Sequence, residues 1–540
     1  MCGIAGLIGA DRQLRVDEQT VRAMCDRIVY RGPDGEGIWA EGHVGLGMRR
    51  LSIIDLEGGN QPIYNEDRSV LTVYNGEIYN FQELKNELLA KGHKFYTHCD
   101  TEVIVHLYEE HGADFVQKLR GMFALAVFDK KANRLLLARD RLGKKPLFYA
   151  FHDGVLYFGS EIKTILAIAP ELAEIDNEGL MQFFYYGYIP DPLTSFKKIR
   201  KLPPGCRLEF ESGEIHIRPY WSLPQFASLR MNEQECIERL ESIFADAVRM
   251  RLISDVPLGA LLSGGVDSSA VVAMMARVSS APVKTFSIGF GKADFNEAGY
   301  ARTVAEKFHT DHHELHVDPN LWETLQDLTR ILDEPFADSS IIPTYHVSKL
   351  AREHVTVALS GDGGDELFVG YDRYMAHFRR RHLDLLPRWA KQSYRAAVYP
   401  LLPKSVRGRK LAHNIALNSR DRYIDGVSHL SSHDADMTLL SPEFLATTGC
   451  TPPEAIMRRH FDEAPASDFM SRMQYTDIKT YMTADVLAKV DRMSMASSLE
   501  VRVPLLDHVF VEFAAQIPVE MKYQNGTRKY LLRKLAERLG

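Results

Sequence analysis

Leu261-Leu262-Ser263-Gly264-Gly265-Val266-Asp267-Ser268-Ser269 follows an apolar run over 256–262 and opens a helical pattern at Asp267. Two glycines between a strand and a helix let backbone N–H groups approach an anion. The helix N-terminus adds positive potential, and the serines offer hydroxyl donors. Asp267 cannot bind phosphate itself, but it can hold a Mg²⁺ that does. The Walker order of Lys followed by Ser or Thr is absent, so this is not the loop that usually presents a γ-phosphate.

Strand and helix alternate outward from that loop: strand 283–288, helix 297–308, strand 314–317, helix, strand 355–359. This order predicts an α/β domain built on a parallel, doubly wound sheet. Loops at the carboxyl ends of such strands share one crevice. Ser360-Gly361-Asp362-Gly363-Gly364-Asp365-Glu366 is therefore expected to face the first loop, with Asp267 and Asp365 as a Mg²⁺ clamp for pyrophosphate. The remainder, 371–540, reads as a helical C-terminal extension.

The N-terminal part has another rhythm. Short alternating runs at 4–8, 44–48, 70–74, 123–128, 135–139 and 156–158 predict antiparallel sheet, interrupted by helical patterns at 17–28, 81–90 and 102–110. The expected result is an α+β domain with sheets between helix layers, spanning 2–213. Residues 191–230, with Pro190, Pro192, Pro203, Pro204 and Gly205 at or near their start, read as a surface connector. The linker proper is placed at 214–232, and the second domain at 233–540.

Two or three domains suit 540 residues. A net charge of −7 does not favour nucleic acid or an anionic membrane as a partner. The six cysteines, Cys2, Cys25, Cys99, Cys206, Cys236 and Cys450, form no CxxC pair, so neither a zinc ribbon nor a disulfide framework is indicated. A cytoplasmic location fits best. No apolar run approaches the ~20 residues that span a bilayer.

Removal of Met1 would leave Cys2 with a thiol and a free α-amine. Their reference pKa values, about 8.5 and about 7.7 to 8.0, let the amine take the thiol's proton near neutral pH. Cys2 is then a nucleophile with its own general base. Arg31-Gly32-Pro33-Asp34, Arg50-Leu51-Ser52-Ile53-Ile54-Asp55, Asn75-Gly76-Glu77-Ile78-Tyr79-Asn80 and Asp100-Thr101-Glu102 accompany it. This set resembles the class II, N-terminal-nucleophile glutamine amidotransferases.

The chemistry explains these residue types. Attack on a glutamine amide creates an oxyanion, which Asn75 and Gly76 can stabilise. The substrate's carboxylate suits Arg50, in a segment where Leu51, Ser52, Ile53 and Ile54 also belong to the glutamine site. Its ammonium suits Glu77 and Asp100. Taken singly, Arg50 reads as a surface ion pair, Asn75-Gly76 as a hairpin turn and Asp100 as a helix cap.

The Ser-Gly-Gly-x-Asp-Ser loop resembles that of the ATP pyrophosphatases, which implies adenylation of a carboxylate with pyrophosphate leaving. From Met1 to the last residues, the chain resembles the glutamine-hydrolysing asparagine synthetases. Arg139-Asp140-Arg141-Leu142-Gly143 with Pro146-Leu147, Ser160-Glu161-Ile162-Lys163 and Leu499-Glu500-Val501-Arg502-Val503-Pro504-Leu505-Leu506-Asp507 also match. The resemblance implies an αββα Ntn-hydrolase sandwich joined to an ATP-pyrophosphatase-type domain. It also implies an ATP site formed by Leu262, Ser263, Gly264, Gly265, Asp267, Ser268, Ile288, Ser360 and Gly361. An aspartyl-AMP intermediate attacked by channelled ammonia, and a homodimer, complete the expectation.

Two positions depart from the family. Its members read Ser-Gly-Glu-Gly-Ser-Asp-Glu where Asp362 stands here in place of the Glu, one methylene shorter and near the adenylated carboxylate. Arg492 occupies a position where some members place a lysine that stabilises charge; Lys489 or Arg492 is expected to act there. Asp362 keeps open a rival of the same architecture that amidates another carboxylate, such as a peptide, antibiotic precursor or sugar acid. A β-lactam synthetase-like cyclase would lack the working Cys2. A tRNA-modifying enzyme fits neither the charge nor the complete glutaminase half.

Other signals carry less. His312 and His316 would share one face of an extended segment and His313 the other, so with His309 they do not converge on a metal. Arg379-Arg380-Arg381, with Arg388, Lys391 and Arg395, reads as a solvated helical face.

Overall fold

Alternation along Gly3–Gly9 sorts the N-terminal half into layers: Ile4 and Ile8 face one core, Ala5 and Leu7 another. The computed structural model describes residues 2–290, 297–317, 321–401, 409–430, 439–449 and 451–540. Met1 and Cys450 lie outside them. Ile4, Ile8, Val44 and Leu46 of one six-stranded antiparallel sheet meet Leu71, Val73, Ala124 and Ala126 of a second. On the far side of the first sheet, Ala5 and Leu7 pack on Val21, Met24 and Cys25 of helix Glu18–Cys25. On the far side of the second, Tyr74, Phe123 and Leu125 pack on helices Phe81–Ala90 and Val103–His111. The layering is αββα. Truncating a side chain such as Ile4 in the central layer costs about 2–5 kcal/mol.

The expected connector is a correction. Ile199–Lys201 pairs with Phe148–His152 at the edge of the first sheet. Cys206–Glu211 joins Arg134–Arg139 in the second, and Glu214–Pro219 extends that sheet past the expected domain end at Gly213. The prolines flank these short strands rather than interrupt them, which is where proline is tolerated. The linker shortens to 220–232. Asn232 then caps helix Glu233–Arg251 through a reciprocal box with Glu235.

The C-terminal sheet runs Asp311–Val317, Lys284–Phe290, Leu258–Leu261, Val357–Leu359, Glu500–Arg502, parallel throughout. Strand order reverses between Leu258–Leu261 and Val357–Leu359, and a crevice opens outside the carboxyl ends of strands at such a switch point. Both acidic-glycine loops leave from there. The edge strand Glu500–Arg502 was not predicted within the helical extension. Two of its three residues are charged, yet Glu500 and Arg502 are fully buried and paired with each other at 2.6 Å. Among the described residues, no helix is long and apolar enough to cross a membrane.

The two halves meet over the very motifs that carried the resemblance. Arg31 is bracketed by Glu161 at 3.0 Å and Asp491 at 2.9 Å, and Lys145 reaches Asp491 at 3.4 Å. Asp507 accepts Arg120 at 2.9 Å and Arg251 at 3.0 Å, while Lys144 donates to the Leu506 carbonyl. Breaking one partner of a buried pair strands a charge at a cost of about 3–5 kcal/mol. Such an interface holds the domains in fixed register.

The histidines of Asp311–Val317 are structural. His312 bonds Thr285 and Ser287 through its two ring nitrogens, and His313 stacks on His354 at 4.0 Å. Arg379 and Arg381 are exposed, as a solvated face requires.

Candidate active sites

Strands Gly3–Gly9 and Val70–Ile78 belong to different sheets, and their ends bring Cys2 to Asn75. Cys2 N donates to Asn75 Oδ1 at 3.2 Å, and its Sγ faces the Leu51 carbonyl oxygen at 4.0 Å. Burial pushes the thiol up from its ordinary pKa, opposed by positive charge including Arg50. A small pocket beside Cys2 is lined by Arg50, Leu51, Ile53, Ile54, Gly76, Glu77 and Asp100. Arg50 is held by four acceptors, the carbonyls of Ile54, Asp55 and Leu56 and the side chain of Asn60. Gly76 lies inside a strand, not a hairpin turn; a Cβ there would fall 2.1 Å from the Met122 carbonyl oxygen.

Three residues differ from expectation. Ser52 is not in the pocket wall; its N–H donates to Asp34. Asn75 sits behind the wall, its carboxamide bridging Cys2 N and Ser160 Oγ, the latter at 3.4 Å. Glu77 already has a cation, Arg502 of the other half, at 3.1 Å. Burial nonetheless pushes Glu77 well above the carboxylate range. Asp100, no helix cap, accepts the Ile78 N–H at 2.9 Å, and burial raises it to about 6. Glu500 completes the wall from the second domain.

A cleft of about 710 Å³ opens at the switch point of the parallel sheet. Leu262, Ser263, Gly265, Asp267, Ser268, Ile288, Ser360 and Gly361 line it, together with Asp362 and Asp365. Gly264 does not, for it turns away at φ +80° against the Ala301 backbone. The two loops are pressed together, since a Cβ on Gly361 would stand 2.5 Å from Ser268 N. Lys529 Nζ bridges the expected metal clamp, 2.5 Å from Asp267 and 2.8 Å from Asp365. Burial raises Asp267 to about 6, against the pull of Lys529. Its Oδ1 is buried without a hydrogen-bond partner. That unused oxygen belongs to a residue of the cleft wall and fits a cation ligand.

Residues 239–539 match the Asparagine synthase family, and residues 1–221 match the Glutamine amidotransferase domain. The chain belongs to the asparagine synthetase family. It is 37% identical to Asparagine synthetase [glutamine-hydrolyzing] 1 of Bacillus subtilis, over 99% of this chain and 84% of that one. It is 34% identical to a putative asparagine synthetase [glutamine-hydrolyzing] of Mycobacterium tuberculosis, over 99% and 85%. A protein of Gibberella zeae named Amidase chry2 is 29% identical over 98% and 84%.

Within this asparagine synthetase family member, the two expected charge stabilisers lie beside the switch-point cleft rather than in its wall. Arg492 lines a neighbouring cavity between the domains and pairs with Glu161 at 2.7 Å and Asp333 at 3.6 Å. Lys489 shares that cavity, reaching Asp338 Oδ2 and Ser340 Oγ, each at 2.7 Å. Asp362 does face the cleft and accepts the Ser360 hydroxyl at 2.7 Å. Lys529, Glu366 and Tyr371 were missed. Only Lys529 had a sequence signal, a cation pair with Arg528 in Gly526-Thr527-Arg528-Lys529, and it resembled any basic surface turn.

Proposed function

We propose that the chain makes asparagine from aspartate, with glutamine as nitrogen donor and ATP cleaved to AMP and pyrophosphate. The contact between Cys2 N and Asn75 Oδ1 carries this reading, because it orients the one nitrogen that becomes the α-amine once Met1 is removed. That amine takes the thiol proton as Sγ attacks the glutamine amide. Asn75 and the Gly76 N–H stabilise the oxyanion, Arg50 binds the substrate carboxylate, and Asp100 its ammonium. Ammonia leaves and water later frees glutamate from Cys2.

In the second site the two loops hold ATP, and the aspartate side chain attacks the α-phosphorus to give β-aspartyl-AMP. Asp267 and Asp365 would hold Mg²⁺, which neutralises charge on the leaving pyrophosphate when bound. Lys529 stands ready to do the same for the phosphates. Tyr79, Met122 and Met495 form a buried apolar cluster at the junction of the halves. Such walls favour neutral ammonia over ammonium, which has no lone pair to attack with. A cytoplasmic homodimer belongs to the same proposal on family resemblance alone.

Incubation with ATP, glutamine and aspartate tests it: pyrophosphate and asparagine should form together. Pyrophosphate release indifferent to aspartate would overturn the acceptor assignment. Asp362 supports a second reading, the same chemistry on another carboxylate. A screen of carboxylates for AMP formation separates the two.

A further inference from the structure

On the outer helix layer of the N-terminal half, two imidazoles and two carboxylates converge from three segments. Glu66 follows strand Ile63–Tyr64, His93 follows helix Phe81–Ala90, and His106 and Glu109 lie one turn apart on helix Val103–His111. One ligand atom from each lies within 4.8 Å of every other. His93 Nδ1 is 3.3 Å from Glu66 and 3.8 Å from Glu109; His106 Nδ1 is 3.4 Å from Glu66 and 3.3 Å from Glu109. We propose that Glu66, His93, His106 and Glu109 form a binding site for a zinc-like divalent transition-metal ion, through both Nδ1 atoms and the two carboxylates.

The separations leave room for a metal ion between the four groups. Charge-assisted N–H···O bonds close to about 2.7–2.9 Å. Four ligands at about 2.0–2.1 Å from a tetrahedral Zn²⁺ stand about 3.3 Å apart. His93 Nδ1 to Glu66 Oε1, and His106 Nδ1 to Glu66 Oε2 and to Glu109 Oε2, stand 3.3–3.4 Å apart, close to that edge, with Glu66 turning a different oxygen to each ring. The outer ring nitrogens also face carboxylates. His93 Nε2 faces Glu110 at 3.2 Å, and His106 Nε2 faces Glu102 at 3.7 Å. Each imidazole therefore has carboxylates on both sides. A neutral ring has one N–H, so one nitrogen must present a lone pair to an anion unless a cation lies between. The two ring centroids stand only 4.8 Å apart, so both imidazoles face the same small space. With a metal, Nδ1 of each ring ligates and His93 Nε2–H donates to Glu110, the usual second layer of a His–metal site.

The ligands are also pre-placed. His106 is fully buried and packs on Phe95, Glu109 accepts Asn65 Nδ2 at 2.7 Å, and Glu66 accepts the Lys94 N–H at 3.0 Å. A mixed His and carboxylate set selects Zn²⁺, Co²⁺ or Ni²⁺ over Mg²⁺ or Ca²⁺. Glu102, beneath His106, also accepts the N–H groups of Tyr96 and Thr97, so the site closes over the segment carrying Asp100. The metal assignment itself is independent of what Asp100 binds.

The test is Co²⁺ titration of the full, chelator-treated chain carrying Cys2→Ala, which removes a thiolate competitor. One four-coordinate cobalt absorption band per chain is expected, displaced by Zn²⁺. Asp365→Asn, in the other acidic site, should leave it. His93→Ala and Glu109→Gln, both at partly exposed positions, should each weaken Zn²⁺ at least ~100-fold, because even outer-shell losses cost 10–100-fold. Absence of the band, or its persistence in both variants with circular dichroism unchanged, would overturn the proposal and leave a cluster of histidines paired with carboxylates.

Discussion

Arg502 Nη2 lies 3.1 Å from Glu77 Oε2, so the edge strand of the second domain neutralises a carboxylate in the wall of the first domain's pocket. Arg502 also donates to Glu500 and to the carbonyls of Arg251 and Ile253. One guanidinium thus ties the glutamine pocket to the synthetase sheet.

Replacing it should show both roles. Arg502→Leu leaves Glu77 and Glu500 buried without their cation, at a cost of about 3–5 kcal/mol. A lower denaturant midpoint is expected, with the KM for glutamine raised more than the KM for ammonium. Equal effects on the two nitrogen sources would reduce Arg502 to a structural residue.

Cys2→Ala should abolish glutamine-dependent synthesis and retain ammonium-dependent synthesis near wild-type rate. Asparagine formation from each source is the measurement. Loss of both activities in a folded protein would contradict the division of labour between the halves.

Asp100 offers a pH test. Its folded pKa, raised from 3.8 to about 6 by burial, means the folded state binds the proton more tightly than the unfolded chain. That contribution is fully present below pH 3.8 and is lost as pH rises through about 6. Asp100→Asn removes the buried charge while keeping an acceptor for Ile78 N–H. It should stabilise the protein by up to about 3 kcal/mol above pH ~7 and by little in acid. Glutamine affinity should fall in the same variant, and wild-type kcat/KM for glutamine should decline as pH drops through about 6.

Lys529→Met should push Asp267 above its value of about 6, since Lys529 is what pulls it down. The cleft then loses a cation facing two carboxylates. Pyrophosphate release should fall by ~10²-fold, on the scale of losing one electrostatic stabiliser, and require more Mg²⁺. Glutamine hydrolysis serves as the internal control and should be unchanged.

Legibility followed locality. The two-residue rhythm of Gly3–Gly9 and the Ser-Gly-Gly-x-Asp-Ser loop each lie within one element and its flanks, and both were readable. Glu500–Arg502 was not, because its charges mask a strand whose burial depends on partners elsewhere. The region 191–230 misled for the converse reason: prolines signal a connector, yet the strands between them find edges to pair with. Arg492 was placed at the acceptor by resemblance, and packing instead gives it Glu161 and Asp333.

The sequence by itself determined the chemistry available: a cysteine able to share an amine's proton, a phosphate-gripping loop, and acidic residues behind two strands. Only tertiary structure decided which of these meet. The Glu77–Arg502 pair spans 425 residues, and the histidine-carboxylate cluster draws on three separate segments. Periodicity and spacing report on one element at a time. Contacts between elements depend on how whole faces pack, and a charged residue looks alike in sequence whether it ends in solvent or against a buried partner.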